Sequence, residues 1–208
     1  MRKERFCANE KDQILLDWFE KILPLFPNLP FKSEERNQRL RPDIIRRIIG
    51  EFLTDDERAE LLGLPRGCRI REGAKIISPE NLVIGTDCWI GENAILDASG
   101  GLEIGSHTTI GCSVMVWSHS SHLAALAQNN VPGSSLIKRE KTKIGNRCFI
   151  VGPSVILPGV TIGNQVIVRP MTRVEQDIPD RSIVDASGIK EGVLSEERIQ
   201  DMLEKHFA

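Results

Sequence analysis

The chain has 208 residues, with 27 Lys and Arg against 29 Asp and Glu, and the formal charge of −2 gives no long-range field to attract a polyanion, so nucleic acid is not an expected partner. Its 40% hydrophobic and 27% charged residues are those of an ordinary folded domain with an appendage, which sets disorder aside. No stretch approaches the ~20 apolar residues of a membrane span, and the opening MRKERFCANEKD has no apolar segment behind its basic residues, so a cytoplasmic chain without membrane insertion is expected.

The first 66 residues read as a helical cap. Ile14, Leu15, Trp18, Phe19 and Ile22 recur at helical spacing before Pro24. Ile44, Ile45, Ile48, Ile49 and Phe52 do so again after Pro42, which suits the first turn of a second helix. A third, short helix is expected with Thr54 as N-cap, Asp55, Asp56 and Glu57 in its first turn, and Gly63 just past its end. The basic run from Arg36 to Arg47 is read as a solvated helix face.

After Leu64-Pro65 the period becomes six, from about Ile70 to about Pro179. Ile144, Ile150, Ile156, Ile162, Val168 and Val174 are each six apart, and Cys148, Ser154, Val160, Val166 and Thr172 follow four places behind the first five. The same frame fits Ile84 with Cys88, Ile90 with Ala94, Ile104 with Thr108 and Ile110 with Val114. A short strand that turns one large apolar residue inward and then bends at a small one makes one side of a coil. Three sides close a triangle, and stacked triangles pair strand on strand around a common apolar column. The frame slips by two at Leu82-Val83 and near Gly100-Gly101, where a corner carries extra residues. The reading is a mainly β chain, a parallel β-helix over residues 67–190, interrupted by an inserted loop at 117–143 and followed by a helix in 191–208. In that helix Ser195 is the N-cap, and Ile199, Met202, Leu203 and Phe207 form a face that packs on the coil.

Loops of that length inside a regular coil are usually functional, and this one carries His119 and His122 in VWSHSSHL. His107 and His206 are read as surface residues. The five cysteines are odd in number and lack C-x-x-C spacing, so free thiols and no metal site are expected; Cys112 has no basic neighbour to activate it. Cys88 and Cys148 share the small-residue column two rungs apart, too far for a disulfide.

Hexads such as IGENAI, IGSHTT and IGCSVM, followed by FIVGPSVILPGVTIGNQVIV, resemble the hexapeptide-repeat acyltransferases, and most of all their sugar O-acetyltransferase branch, over about Ile70 to Lys190. The resemblance implies a left-handed coil, a homotrimer, and acetyl-CoA bound between subunits as acyl donor to a hydroxyl of a sugar or glycan precursor. It also implies a loop histidine as general base; His122 fits slightly better by position, with His119 orienting or replacing it. Asp97 and Asn93 lie where the family often places a residue against the acceptor sugar, or else they are corner residues capping backbone N–H groups. The oxyanion donors correspond to Val151-Gly152. The family's G-A-G-S string reads here Arg169-Pro170-Met171-Thr172, and its A-G-N-P-A-K reads Asp185-Ala186-Ser187-Gly188-Ile189-Lys190. In those segments Thr172, Arg169, Arg173 and Lys190 are the candidates for holding the donor, while Pro170 removes an N–H. Two alternatives stand beside this reading: a catalytically silent β-helix scaffold, and a metal enzyme like the γ-type carbonic anhydrases. The histidine spacing disfavours the second, since that class has a pair five apart and a third histidine on an earlier coil.

Overall fold

The computed structural model describes residues 34–131 and 133–207, together with Gln13, Ile14, Asp17, Glu20 and Lys21. Those five are helical, and the rest of the first expected helix lies outside the described residues. Helix α1, Glu35–Gly50, begins well before Pro42, which sits inside it and does not open it. A proline there removes one backbone hydrogen bond, and the helix continues on either side of that gap. Helix α2, Asp55–Leu61, starts where expected: the Thr54 N–H donates to the Glu57 carboxylate at 2.9 Å, and Gly63 follows the helix with φ of 66°.

Arg58 ties the cap to the coil. It is buried, and its guanidinium donates to the carbonyls of Gly50 at 2.7 Å, Leu53 at 2.7 Å and Ile70 at 2.6 Å. The Gly50 carbonyl is the last of α1, where a cation is favoured by the helix dipole, and Leu53 lies in the turn that follows. Arg58→Ala removes all three bonds and leaves the Leu53 and Ile70 carbonyls without this donor, while Gly50 O keeps the Leu53 N–H at 3.1 Å, and it is expected to lower unfolding free energy by about 3 kcal/mol in urea denaturation.

Three parallel sheets form the sides of a left-handed β-helix of about six turns. The first stacks β1 (Arg69–Ile70), β4 (Trp89–Ile90), β7 (Thr109–Ile110), β12 (Phe149–Ile150), β15 (Ile167–Val168) and β17 (Ile183–Asp185), and β18 (Gly188–Lys190) returns antiparallel on β17. The second stacks β2 (Lys75–Ile77), β5 (Ile95–Asp97), β8 (Met115–Val116), β13 (Val155–Ile156) and β16 (Arg173–Val174). The third stacks β3 (Leu82–Ile84), β6 (Leu102–Ile104), β11 (Thr142–Ile144) and β14 (Thr161–Ile162).

The hexad frame is what the coil obeys. Ile70, Ile90, Ile110, Ile150 and Val168 face the axis from the first sheet, Val116, Ile156 and Val174 from the second, and Ile104, Ile144 and Ile162 from the third, each at most 4% exposed. The small-residue column is buried as well, and its hydroxyls serve the corners: Ser154 Oγ donates to Val151 O and Thr172 Oγ1 to Arg169 O, both at 2.7 Å. Early rungs repeat every 20 residues, as Ile90 on Ile110, because of the extra corner residues; later ones repeat every 18, as Ile156 on Val174. The last shortens to 16, Ile162 bridging to Ile178.

The closing helix α4, Glu196–Phe207, is capped by Ser195, whose Oγ accepts the Arg198 N–H at 3.2 Å. Of the face expected to pack on the coil, Ile199 is half-buried while Met202 and Leu203 are 50% and 47% exposed, and the helix is tied to the coil at its first turn through Glu196. Among the described residues no helix is long and apolar enough to cross a membrane.

Candidate functional site

The inserted loop leaves the coil after β8 and returns before β11, and both ends are clamped. Trp117 N–H donates to Ile156 O at 3.0 Å, Trp117 O accepts from Thr142 Oγ1 at 2.6 Å, and Glu140 N–H donates to Ser118 O at 2.9 Å. Between these points β9 (His119–Ser120) pairs antiparallel with β10 (Lys138–Arg139), and helix α3 (His122–Leu126) follows. The loop thus continues the backbone pairing of the coil at its base, which fixes where His119 emerges.

His119 stands over a buried carboxylate. Asp97, the last residue of β5 and fully buried, lies one coil earlier, and its Oδ2 is 2.6 Å from His119 Nδ1. The same oxygen accepts the Ser118 N–H at 2.9 Å and the Ser118 hydroxyl at 3.2 Å, while Oδ1 accepts the Ser99 N–H at 3.0 Å. Ser118 Oγ in turn accepts the Gly100 N–H at 2.8 Å, and Ser99 Oγ lies 3.0 Å from His119 Nδ1. Burial pushes the Asp97 carboxyl up, but the Ser118 N–H, the hydroxyl and N–H of Ser99 and the bond to His119 outweigh it and leave the acid below its ordinary value. An ionised Asp97 accepts the Nδ1 proton, which leaves Nε2 as the basic nitrogen of the ring. Trp117 packs edge-on against the imidazole at 5.9 Å, and the ring is 28% exposed. The arrangement is a histidine oriented and charge-supported by a carboxylate, with one face open.

His122 has no such support. It is exposed at the start of α3, and among the described residues its Nδ1 meets only the Ser120 hydroxyl, at 2.7 Å. Asp97 does not face an acceptor sugar, because its oxygens are taken by protein donors and no surface of it is exposed. Asn93 sits at a different corner, exposed in the left-handed region with φ of 57°.

The residues considered for the donor divide. Val151 gives its N–H to Val168 O at 2.8 Å and has none left for an oxyanion. Gly152 beside it keeps its N–H without a partner among the described residues. A side chain is excluded there, since a Cβ would lie 1.6 Å from Cys112 O. Thr172 is buried in the small-residue column with its hydroxyl on Arg169 O, so it cannot touch a donor. Arg169 and Lys190 are brought together, 3.9 and 3.1 Å from Asp185, whose acid is held down to about 2 by the Ser187 hydroxyl and N–H and by Lys190. Arg173 stands apart on the second sheet, paired with Glu175 at 2.8 Å.

Ser99 and Ser118 were not singled out from the sequence, although Asp-x-Ser at 97–99 is an Asx-turn signal that marks Asp97 as a backbone-capping residue.

No protein-family model matches the chain. It is 28% identical over 110 residues to WcaF of Escherichia coli K12, a protein assigned as a colanic acid biosynthesis acetyltransferase; the match covers 53% of this chain and 57% of the relative, so it spans little more than half of that protein's length. The fold is that of the hexapeptide-repeat-containing acetyltransferase VCA0836 of Vibrio cholerae solved with acetyl coenzyme A, with a TM-score of 0.56, 22% identity, and 78% of this chain and 91% of that one covered. A maltose O-acetyltransferase of Clostridium difficile superposes with a TM-score of 0.51 at 17% identity, covering 88% of this chain and 87% of that one. The resemblance carried by the hexads is borne out in both sequence and fold.

Proposed function

We propose that this chain transfers an acetyl group from acetyl-CoA to a hydroxyl of a sugar or glycan precursor, with His119 as general base. The single observation that carries the reading is the Asp97–His119 pair at 2.6 Å at the mouth of the inserted loop. Similarity to an acetyltransferase assigned to colanic acid biosynthesis and to the fold of sugar acetyltransferases supports the donor and the acceptor class. In the reaction, His119 Nε2 takes the hydroxyl proton as that oxygen bonds to the thioester carbonyl carbon. The tetrahedral oxyanion then collapses, the C–S bond breaks, and the imidazolium returns the proton to the leaving sulfur, giving the acetyl ester and free CoA thiol. Asp97 holds the ring in one tautomer and faces the imidazolium as it forms. Gly152 is the oxyanion donor that remains, and Arg169 and Lys190, half exposed and beside one another, are the anchors for donor phosphates.

The working form in this reading is a cytoplasmic homotrimer. Trp89, Thr109, Phe149 and Ile167 follow one another on the outer face of the first sheet, three of them apolar, and Ile95, Met115 and Val155 on the second, whereas Glu103 and Lys143 mark the third as polar. Two apolar outer faces on one prism are what packing against neighbouring copies would use.

The test is a screen of purified full chain with acetyl-CoA against nucleotide sugars and simple glycosides, read as free thiol. Acceptor-dependent thiol release is expected with at least one hydroxylated sugar. Release that never exceeds hydrolysis without acceptor, combined with no thermal stabilisation by saturating acetyl-CoA, would leave the coil a scaffold.

A further inference from the structure

The corner between the third and first sheets holds a cavity of about 640 Å³, away from the corner of His119. We propose that this cavity binds the phosphate of a small phosphorylated ligand of up to nucleotide size, and that Glu196 of α4 is its internal competitor. The inference does not rest on the acetyltransferase reading.

The corner is built by two ladders. In one, the side-chain oxygens of Asn146, Asn164 and Asp180 each accept the backbone N–H of the corner one coil below, at 2.8, 2.9 and 2.7 Å, and so are occupied in holding the coils together. In the other, His107, Arg147, Gln165 and Arg181 follow one another rung by rung, all in the left-handed region with φ of 54–57°; His107, Arg147 and Arg181 are exposed and Gln165 between them is buried. The groove therefore presents two guanidinium groups, an amide and an imidazole beside the Asp180 carboxylate, a donor-rich set.

Those donors converge. Gln165 Nε2 donates to Glu196 Oε1 at 3.0 Å, and a terminal nitrogen of Arg147 and one of Arg181 each stand 3.7 Å from that same oxygen. The two guanidinium groups can thus be no further apart than twice that distance, and neither is close enough to the carboxylate to hydrogen-bond it. A tetrahedral dianion placed between them would accept from both forks at ordinary hydrogen-bond length, a better match than one shared carboxylate oxygen. The volume lies in the range of small-molecule pockets, leaving room for more than a bare phosphate. Because Glu196 opens α4, a ligand that displaces it would also release the helix from the coil.

Isothermal titration of the full chain with inorganic pyrophosphate tests this. Wild type is expected to bind; Arg147→Gln and Arg181→Gln should each weaken binding about tenfold or more, and Glu196→Gln should tighten it several-fold. Arg147→Lys, which keeps the charge and loses the fork, should fall between wild type and Arg147→Gln, guarding against a folding defect as the cause. A loss of binding confined to Arg169→Gln would place the pyrophosphate at the proposed donor corner instead. No binding by wild type and Glu196→Gln at millimolar pyrophosphate would overturn the proposal, as would affinity that follows Arg169 and ignores Arg147 and Arg181.

Discussion

His119→Ala is expected to lower kcat by about 10² to 10⁴ while leaving the affinity for acetyl-CoA near wild type, and His122→Ala is expected to stay within a few-fold of wild type. The two histidines are three residues apart in one loop, so sequence position does not separate them; their partners do. His119 Nδ1 meets a buried carboxylate oxygen at 2.6 Å, whereas His122 Nδ1 meets an exposed serine hydroxyl at 2.7 Å. A base must hold a defined tautomer and tolerate becoming a cation during proton transfer, and only the Asp97 carboxylate supplies both conditions. Steady-state thiol release with each single variant decides between them. A large loss in His122→Ala with wild-type turnover in His119→Ala would reverse the assignment.

Asp97→Asn is expected to reduce both turnover and stability. Oδ2 serves three donors, from the Ser118 N–H, the Ser118 hydroxyl and His119, while Oδ1 accepts the Ser99 N–H. The asparagine would therefore place its oxygen at the Oδ2 position and set its NH2 against the Ser99 N–H. The Ser99 N–H and the amide's own N–H groups are then left facing one another without an acceptor, a loss of about 1–3 kcal/mol or more. The imidazolium formed in the reaction would face a neutral amide, so kcat should fall by at least about 10². The pH dependence has a definite sign. Asp97's folded acid lies below its reference value of 3.8, so the stabilisation from its ionised form is fully present above about pH 4 and is lost as pH falls through the folded value. The stability gap between wild type and Asp97→Asn, followed by urea denaturation, should then be constant near neutrality and narrow below about pH 4. A gap that stays constant into strong acid would contradict the assignment of an ionised, hydrogen-bonded Asp97.

The hexad period exposes the coil because one large residue in six must face the axis, and Ile150, Ile156, Ile162 and Val168 all do. It even shows the longer early rungs, since an extra two residues at a corner shift the frame visibly. The shortened last rung and the antiparallel β18 were not visible, because Asp185 to Lys190 lacks the apolar marks that register depends on. The site was legible as a place and only partly as an arrangement. Asp97 stands one coil before the loop, but at the end of β5 both Leu96 and Asp97 turn inward, breaking the alternation from which orientation is read. Thr172 was expected at the donor although it belongs to the small-residue column, whose own period places it inside. Arg58 reads as one more charge on a short helix, since the carbonyls that bury it come from Gly50, Leu53 and Ile70, and only folding brings these together. The amphipathic pattern of α4 identifies a helix but not what covers it, and here Met202 and Leu203 stay half exposed.

A double-mutant cycle on thiol release, with Asp97→Asn, His119→Ala and both together, addresses the pair as a single device. If the carboxylate acts only through the ring it orients, removing it from a protein already lacking that ring changes turnover no further, and the double variant matches His119→Ala. Losses that multiply across the two sites would mean that Asp97 and His119 act separately and that the imidazole is not the group the buried acid serves.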